Sequence, residues 1–309
     1  MAEIPSFCDL RRVGTLFYPD VQAIVESARK ARLTPAAEDR VKVHLVIVDM
    51  QIDFTHTKGA LRVPGALDDI RRLIAFIYRN AEKISGITCS LDSHLPFQIF
   101  HAAWWSDECG SDPPPFTTIR LEDVLAGKWR PRRDPEWSVK YLEELQRRAK
   151  KDLTIWPYHV PIGGLGNALD PELWSAVFWH SLARNVQPNW WVKGSDPQTE
   201  HYSIVRPEVP APSTSQETES KLLDMLAEQD FIVLAGEAAS HCVLETLSDL
   251  VEELRETPGE LSKIVILKDC TSPVEHPHID FAAVVDEKFR EFESQGVRML
   301  LSTDPTPFG

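Results

Sequence analysis

The sequence predicts an α/β fold: a doubly wound, mainly parallel six-stranded sheet with helices on both faces. Three observations carry that prediction. Six short β-rich runs recur along the chain, several of them almost continuously apolar, as strands covered on both faces are. Helix-like segments stand between them. The alternation of the two implies right-handed crossovers, and therefore a parallel sheet with helices packed on either side.

Taken in order, the predicted strands are VKVHLVIVD (41–49), GITCSLD (86–92), NWWVKG (189–194), FIVLAG (231–236), KIVILKD (263–269) and VRMLLST (297–303). Of the helices, 66–84 places Ile70, Leu73, Ile74 and Ile77 on one stripe. Similar patterns cover 171–184, 217–229 and 280–296, and no internal repeat is found. Two parts stand outside this rhythm. Residues 1–40 form an N-terminal arm, expected to pack on the core or on a neighbouring subunit. The remaining 41–309 form one domain, with an insertion at about 104–153 that contains SDPPPF and closes in the charged helix DPEWSVKYLEELQRRAKK. Basic residues at the end of that helix suit its dipole, so the segment reads as a solvated face rather than a docking surface.

Composition narrows the function. With 309 residues, 43% apolar and 26% charged, the chain has the make-up of a soluble globule with room for a sizeable core. Its 33 basic and 47 acidic residues give a net charge of −14, which disfavours a nucleic-acid partner. Five scattered cysteines with no CxxC pair argue for a reducing compartment. The start, MAEIPSFCDLRRVG, lacks the pattern of a signal peptide, and no run of 18 apolar residues points to a membrane span. A soluble, cytoplasmic protein is expected.

In open α/β sheets ligands bind beyond the carboxyl ends of the strands. The first strand ends there in Asp49, the second in Asp92 and the third in Lys193; the fourth leads through GEAASH to Cys242. A thiol is mostly protonated at neutral pH and needs activation to act as a nucleophile. The helix opening near Cys242 points its positive end at the sulfur, Lys193 adds a formal charge, and Asp49 is placed to accept the proton and later deliver it. Each residue also has a plainer explanation. Buried thiols commonly serve as small hydrophobes, an aspartate can cap a turn, and a lysine can end an edge strand. His241 adjoins Cys242, but neighbouring helical residues point about 100° apart, so it reads as pocket wall or scaffold. DSH sets Asp92 and His94 on one side of an extended segment, and WPYH offers His159 from a distant loop. Imidazole with carboxylate oxygen suits Zn²⁺, Mn²⁺ or Fe²⁺ in an open site. A metal-free cap at the strand end is the alternative.

The stretches IVDMQIDF, DSH, WPYH, WVKGSDPQTEHYS and GEAASHCV resemble, in their order, the nicotinamidase branch of the isochorismatase-like cysteine hydrolases, over roughly residues 41–303. The resemblance implies a catalytic triad of Asp49, Lys193 and Cys242, and a divalent metal held by Asp92, His94 and His159. It also implies an oxyanion hole from the backbone N–H groups of Ala238 and Cys242, a cis peptide between Glu237 and Ala238, and a ring pocket lined by Phe54, Trp156 and Tyr202. A further histidine ligand usually follows the DxH histidine after six positions. Here His101 follows His94 after seven, so a one-residue bulge is needed to bring it to the metal. Two further departures are Glu237, where many relatives carry an apolar residue, and EHYSIVRPEV after the pocket tyrosine. The implied activity is hydrolysis of nicotinamide to nicotinate and ammonia through a thioester, by a homo-oligomeric enzyme acting on a small-molecule amide. Three alternatives stand beside it. They are a sister hydrolase of other amides, carbamoyl or ureido compounds, an isochorismatase, and a non-catalytic oligomeric scaffold.

Overall fold

The structure is a computed structural model and describes residues 4–148, 151–212, 216–257, 259–276 and 279–308. Among these residues six strands form one sheet: β1 (Val43–Val48), β2 (Gly86–Asp92), β3 (Asn189–Lys193), β4 (Phe231–Gly236), β5 (Ile264–Leu267) and β6 (Arg298–Leu300). Their order is β6-β5-β4-β1-β2-β3, and every neighbouring pair is parallel. The strand order reverses between β1 and β4. That is the switch point at which open α/β sheets build their ligand crevices.

Around the sheet lie α1 (Val21–Ala31), α2 (Ile52–Thr55), α3 (Ala66–Arg79), α4 (Pro135–Arg147), α5 (Pro171–Ala183), α6 (Gln216–Ala227), α7 (Cys242–Leu254) and α8 (Phe281–Gln295). The alternation of side chains along β1 divides the core. Val43, Leu45 and Ile47 face one layer with Ile70, Leu73, Ile74 and Ile77 of α3 and Leu173, Ala176 and Val177 of α5. Val46 and Val48 face the other layer with Val243 and Leu247 of α7 and Phe289 of α8. Both faces are therefore covered, as near-continuous apolar strands require. No helix among the described residues is long and apolar enough to cross a membrane.

The structure differs from the sequence reading at two elements. The segment 66–84 stops being helical at Arg79, where Asn80 caps the end: its N–H and its side-chain amide both donate to the Phe76 carbonyl at 3.0 Å. NWWVKG forms an edge strand, not one buried on both faces, and leaves Trp190 and Val192 exposed.

The arm and the insertion both pack on this frame. Ile24 and Ala28 of α1 join the α3/α5 layer, and the buried Arg184 guanidinium donates to both carboxylate oxygens of Asp39. Trp104, Trp105 and the α4 residues Tyr141, Leu142 and Leu145 join the opposite layer. The end of α4 is solvated, with Arg147 paired to Glu144.

Candidate active site and metal site

β1 delivers Asp49 just past its last paired residue. The chain turns sharply there, with φ +45°, a left-handed value that aspartate tolerates better than most residues. Ser90 on the neighbouring strand fixes the turn: Asp49 N–H donates to its hydroxyl at 3.0 Å, and the hydroxyl donates to Asp49 Oδ1 at 2.6 Å. Two strands over, Lys193 ends β3, directly opposite Asp92 at the end of β2. The ammonium of Lys193 stands 2.9 Å from Asp49 Oδ2, 3.1 Å from Asp92 Oδ1 and 3.6 Å from Cys242 Sγ. One buried cation thus joins two carboxylates and a thiol.

The thiol reaches this point because β4 ends in Gly236, with φ +129°. A Cβ there would fall 2.1 Å from the Val48 carbonyl, so the approach of β4 to β1 requires glycine. The Glu237–Ala238 peptide is cis, and α7 begins at Cys242. Among the described residues the N–H groups of Ala238 and Cys242 donate to no carbonyl or side chain, while Val243 N–H returns to the Ala238 carbonyl. Both N–H groups are thus left without an acceptor among these residues, at the start of α7.

The charges of the cluster follow from burial and from Lys193. Burial raises the Asp49 carboxyl above its ordinary value despite Lys193, so this group is able to hold a proton. Burial also pushes the Cys242 thiol up, against the pull of Lys193. For Lys193 burial acts downward, but Asp49, Asp92 and Cys242 outweigh it and hold the ammonium charged. Asp92 is pushed up by burial, yet His94 and Lys193 prevail and keep it a carboxylate. Burial thus favours the thiol over the thiolate, with the Asp49 carboxyl linked to it through Lys193.

Beyond Asp92 lies a second group. Ligating atoms of Asp92, His94 and His159 all lie within 4.8 Å of one another. His94 Nδ1 faces the Gly194 carbonyl at 3.0 Å and His159 Nδ1 the Pro157 carbonyl at 2.8 Å. A carbonyl only accepts, so each Nδ1 donates, and in the neutral ring that a metal ligand requires Nε2 then carries the lone pair. Those lone pairs face Asp92 Oδ2 at 2.8 Å and 3.9 Å. A bound cation reconciles acceptors that face one another in this way, and the donor set of two imidazoles and a carboxylate fits a divalent ion. Gly194 makes room for the arrangement, since a Cβ there would lie 2.3 Å from Asp92 Oδ1. Burial, followed by His94, lowers His159 to about 3, which favours the neutral ring that metal ligation would require. His101 stands beside this group rather than in it. Its ring centroid is 5.8 Å from that of His94 and 6.4 Å from that of His159, and neither ring nitrogen has a hydrogen bond of normal geometry among the described residues.

Phe54, Trp156 and Tyr202 close a small cavity over Cys242, together with His159 and Ala238. Phe54 meets His159 edge-on at 5.4 Å, and Trp156 donates its indole N–H to the Tyr202 hydroxyl at 3.0 Å. His241 is a wall, ringed by Trp156, Tyr202 and Phe281 at 4.9–5.3 Å between centroids. The cavity measures about 30 Å³, room for a water or two, so a ring enters only if these walls move. Trp156, Tyr202 and His241 also border an outer cavity of about 720 Å³, whose far side is built by Phe116 and Thr118 of the insertion.

Several residues that hold the site escape the sequence reading. Gln51 accepts from Asp92 N–H at 2.8 Å and donates to the Asp92 carbonyl at 2.7 Å; Asn167 donates to the same carbonyl at 2.8 Å. Asp53 accepts from Val160 N–H at 2.7 Å and so fixes the loop that bears His159. Gln98 donates to the Gly194 carbonyl at 2.6 Å. The only signal for Gln51 and Asp53 was their presence in IVDMQIDF, close behind Asp49.

Comparison with known proteins establishes the fold. No protein-family model matches the chain, and no curated protein matches its sequence. Solved structures do. A yeast nicotinamidase bound to the inhibitor nicotinaldehyde superposes with a TM-score of 0.57 at 17% identity, covering 84% of this chain and 99% of that one. A nicotinamidase/pyrazinamidase of Acinetobacter baumanii gives 0.56 at 20% identity, with coverage of 86% and 99%. An L. infantum protein in complex with nicotinate gives 0.51 at 18%, with coverage of 88% and 96%. The chain has the fold of the nicotinamidases over nearly their whole length.

Proposed function

We propose that the chain is a metal-assisted cysteine amidohydrolase that converts nicotinamide to nicotinate and ammonia. The observation that carries this reading is the junction of two groups at one strand end. Lys193 ties Asp49 and Cys242 together, and Asp92 connects that cluster to His94 and His159. The shared fold with proteins that bind nicotinaldehyde and nicotinate supports the choice of substrate.

Asp49 takes the proton of Cys242 Sγ as the sulfur attacks the amide carbonyl. The oxygen of the tetrahedral adduct receives hydrogen bonds from the N–H groups of Ala238 and Cys242. Asp49 then passes its proton to the amide nitrogen, the C–N bond breaks, ammonia departs and a thioester remains. In the second half Asp49 accepts a proton from water as that water attacks the thioester carbonyl. The C–S bond breaks, the sulfur takes the proton back from Asp49, and the carboxylic acid product leaves and gives its own proton to solvent. Lys193 keeps its charge throughout and offsets the negative charge as it moves between sulfur and carboxylate.

Asp92, His94 and His159 would hold the divalent ion, with zinc the best match to the donors and manganese or iron compatible with them. When bound, the ion supplies an electron-pair acceptor able to fix the position of an aromatic ring nitrogen. His101 offers unpartnered nitrogens at the edge of that site. Phe54, Trp156 and Tyr202 supply the apolar walls for the ring.

The test is ammonia release from nicotinamide by purified protein, beside Cys242→Ala and a chelator-treated sample. Release that needs both the thiol and the metal is expected. Release that persists in Cys242→Ala overturns the mechanism. The outer cavity favours a second reading, a bulkier aromatic carboxamide. Release from such a compound but not from nicotinamide would select it.

A further inference from the structure

Glu237 carries a charge-bearing group to a place where water does not reach. It is fully buried, immediately before Ala238 in the chain, and the mechanism above does not use it. Its backbone is fixed by β1, through Glu237 N–H to the Val48 carbonyl at 2.8 Å. Its side chain shares a polar neighbour with Asp69 of α3, itself 1% exposed. Ser272, in the loop after β5, touches both acids: its N–H donates to Glu237 Oε2 at 3.3 Å and its hydroxyl to Asp69 Oδ2 at 2.5 Å.

The two acids are not equivalent. Asp69 has a cation, since Arg72 Nη2 stands 2.6 Å from its Oδ1. Arg72 is otherwise engaged with Asp269, whose carbonyl accepts from its Nε. Glu237 Oε1 is buried and no donor among the described residues faces it. The charged and titratable groups around Glu237 are Asp69 and Arg72 on α3, and Asp269 and Cys270 at the end of β5. One arginine shared by three carboxyl groups leaves one of them without compensation. Two carboxylates in buried contact repel, whereas a carboxylic acid donating to a carboxylate makes a strong hydrogen bond.

We propose that Glu237 is a positioning residue that is protonated at neutral pH and donates its carboxyl hydrogen to Asp69. That bond ties the loop bearing Ala238 and Cys242 to helix α3. Burial, followed by the proximity of Asp69, raises Glu237 well above its ordinary value, in keeping with the geometry. The device rests on no assumption about substrate.

The sign of its effect is fixed by linkage. An acid whose value is higher in the folded than in the unfolded chain binds the extra proton only when folded. Its contribution is complete below the unfolded value and is lost as pH rises through the folded one. From the ordinary glutamate range upward, the folding equilibrium constant should therefore fall by up to about tenfold per pH unit through this residue alone.

The experiment is urea unfolding of the full chain at several pH values between about 5 and 9, for wild type and Glu237→Gln. The amide of that variant donates to Asp69 without titrating. Infrared difference spectra at neutral pH accompany it, to detect the carbonyl stretch of a buried carboxylic acid. The wild type is expected to lose stability with rising pH more steeply than Glu237→Gln, and to show a protonated-carboxyl band that the variant lacks. Equal pH slopes, or no such band in the wild type, overturn the proposal. Should Glu237→Gln fail to fold, Asp69→Asn decides the matter. Its amide donates to Glu237, lets it ionise, and should abolish the same band.

Discussion

The two halves of the candidate site are built in different ways. Asp49, Asp92, Lys193 and the entry to Cys242 stand on the ends of adjacent parallel strands, at positions set by a register of backbone hydrogen bonds. Phe54, Trp156, His159 and Tyr202 stand on short or irregular segments. These are held by single side-chain contacts such as Asp53 to Val160 N–H and Trp156 to Tyr202. The first half places charge and the second places shape. A sheet ladder fixes several groups at once because its bonds are mutually supporting, while the loop half depends on dispersed contacts that can be removed one at a time.

That contrast can be broken most severely in the charged half. On the proposed mechanism Cys242→Ala should lose on the order of 10⁴-fold or more in kcat with an unchanged circular dichroism spectrum, because a nucleophile acts as one unit with its partners. Lys193→Met leaves Asp49 and Asp92 buried without their cation. It should cost about 3–5 kcal/mol of stability by urea titration as well as activity. His94→Ala should strip most bound metal, read by elemental analysis of the purified protein; unchanged metal content would remove His94 from the ligand set.

The loop half should respond more gently. Asp53→Ala leaves Val160 N–H without its acceptor and should cost about 1–3 kcal/mol, raising KM for the amide more than it lowers kcat. If it instead abolished kcat, the loop would be as much a part of the reactive cluster as the sheet.

The same contrast explains what the sequence discloses. Strand ends in an α/β sheet are legible because the apolar run stops where the ligand crevice begins, which singled out Asp49, Asp92 and Lys193 without any side-chain knowledge. Ser90 was hidden within GITCSLD, where a small polar residue in a buried strand has no visible partner until β1 is laid beside it. Gln51, Asn167 and Gln98 were hidden for a related reason. The partners described above lie 41 to 96 residues away in the chain, beyond any periodic pattern. His101 carries the right side chain seven residues after His94, and spacing alone does not decide where a ring comes to rest. Exposure of Trp190 and Val192 could not be read from their own strand, since an edge is a property of the whole sheet order.

Asp92 offers Oδ1 to Lys193 at 3.1 Å and Oδ2 to His94 at 2.8 Å, so a single side chain is a member of both groups. Its replacement is therefore no clean probe of either. Asp92→Asn should behave epistatically with both neighbours. The cycle pairing it with a change at Lys193 and the cycle pairing it with a change at His94 should each depart from additivity. Changes at Lys193 and His94 made without touching Asp92 should combine more nearly independently. The genetic signature of the site is thus a hub with two spokes, and residue 92 is the position at which a screen for compensating second mutations should begin.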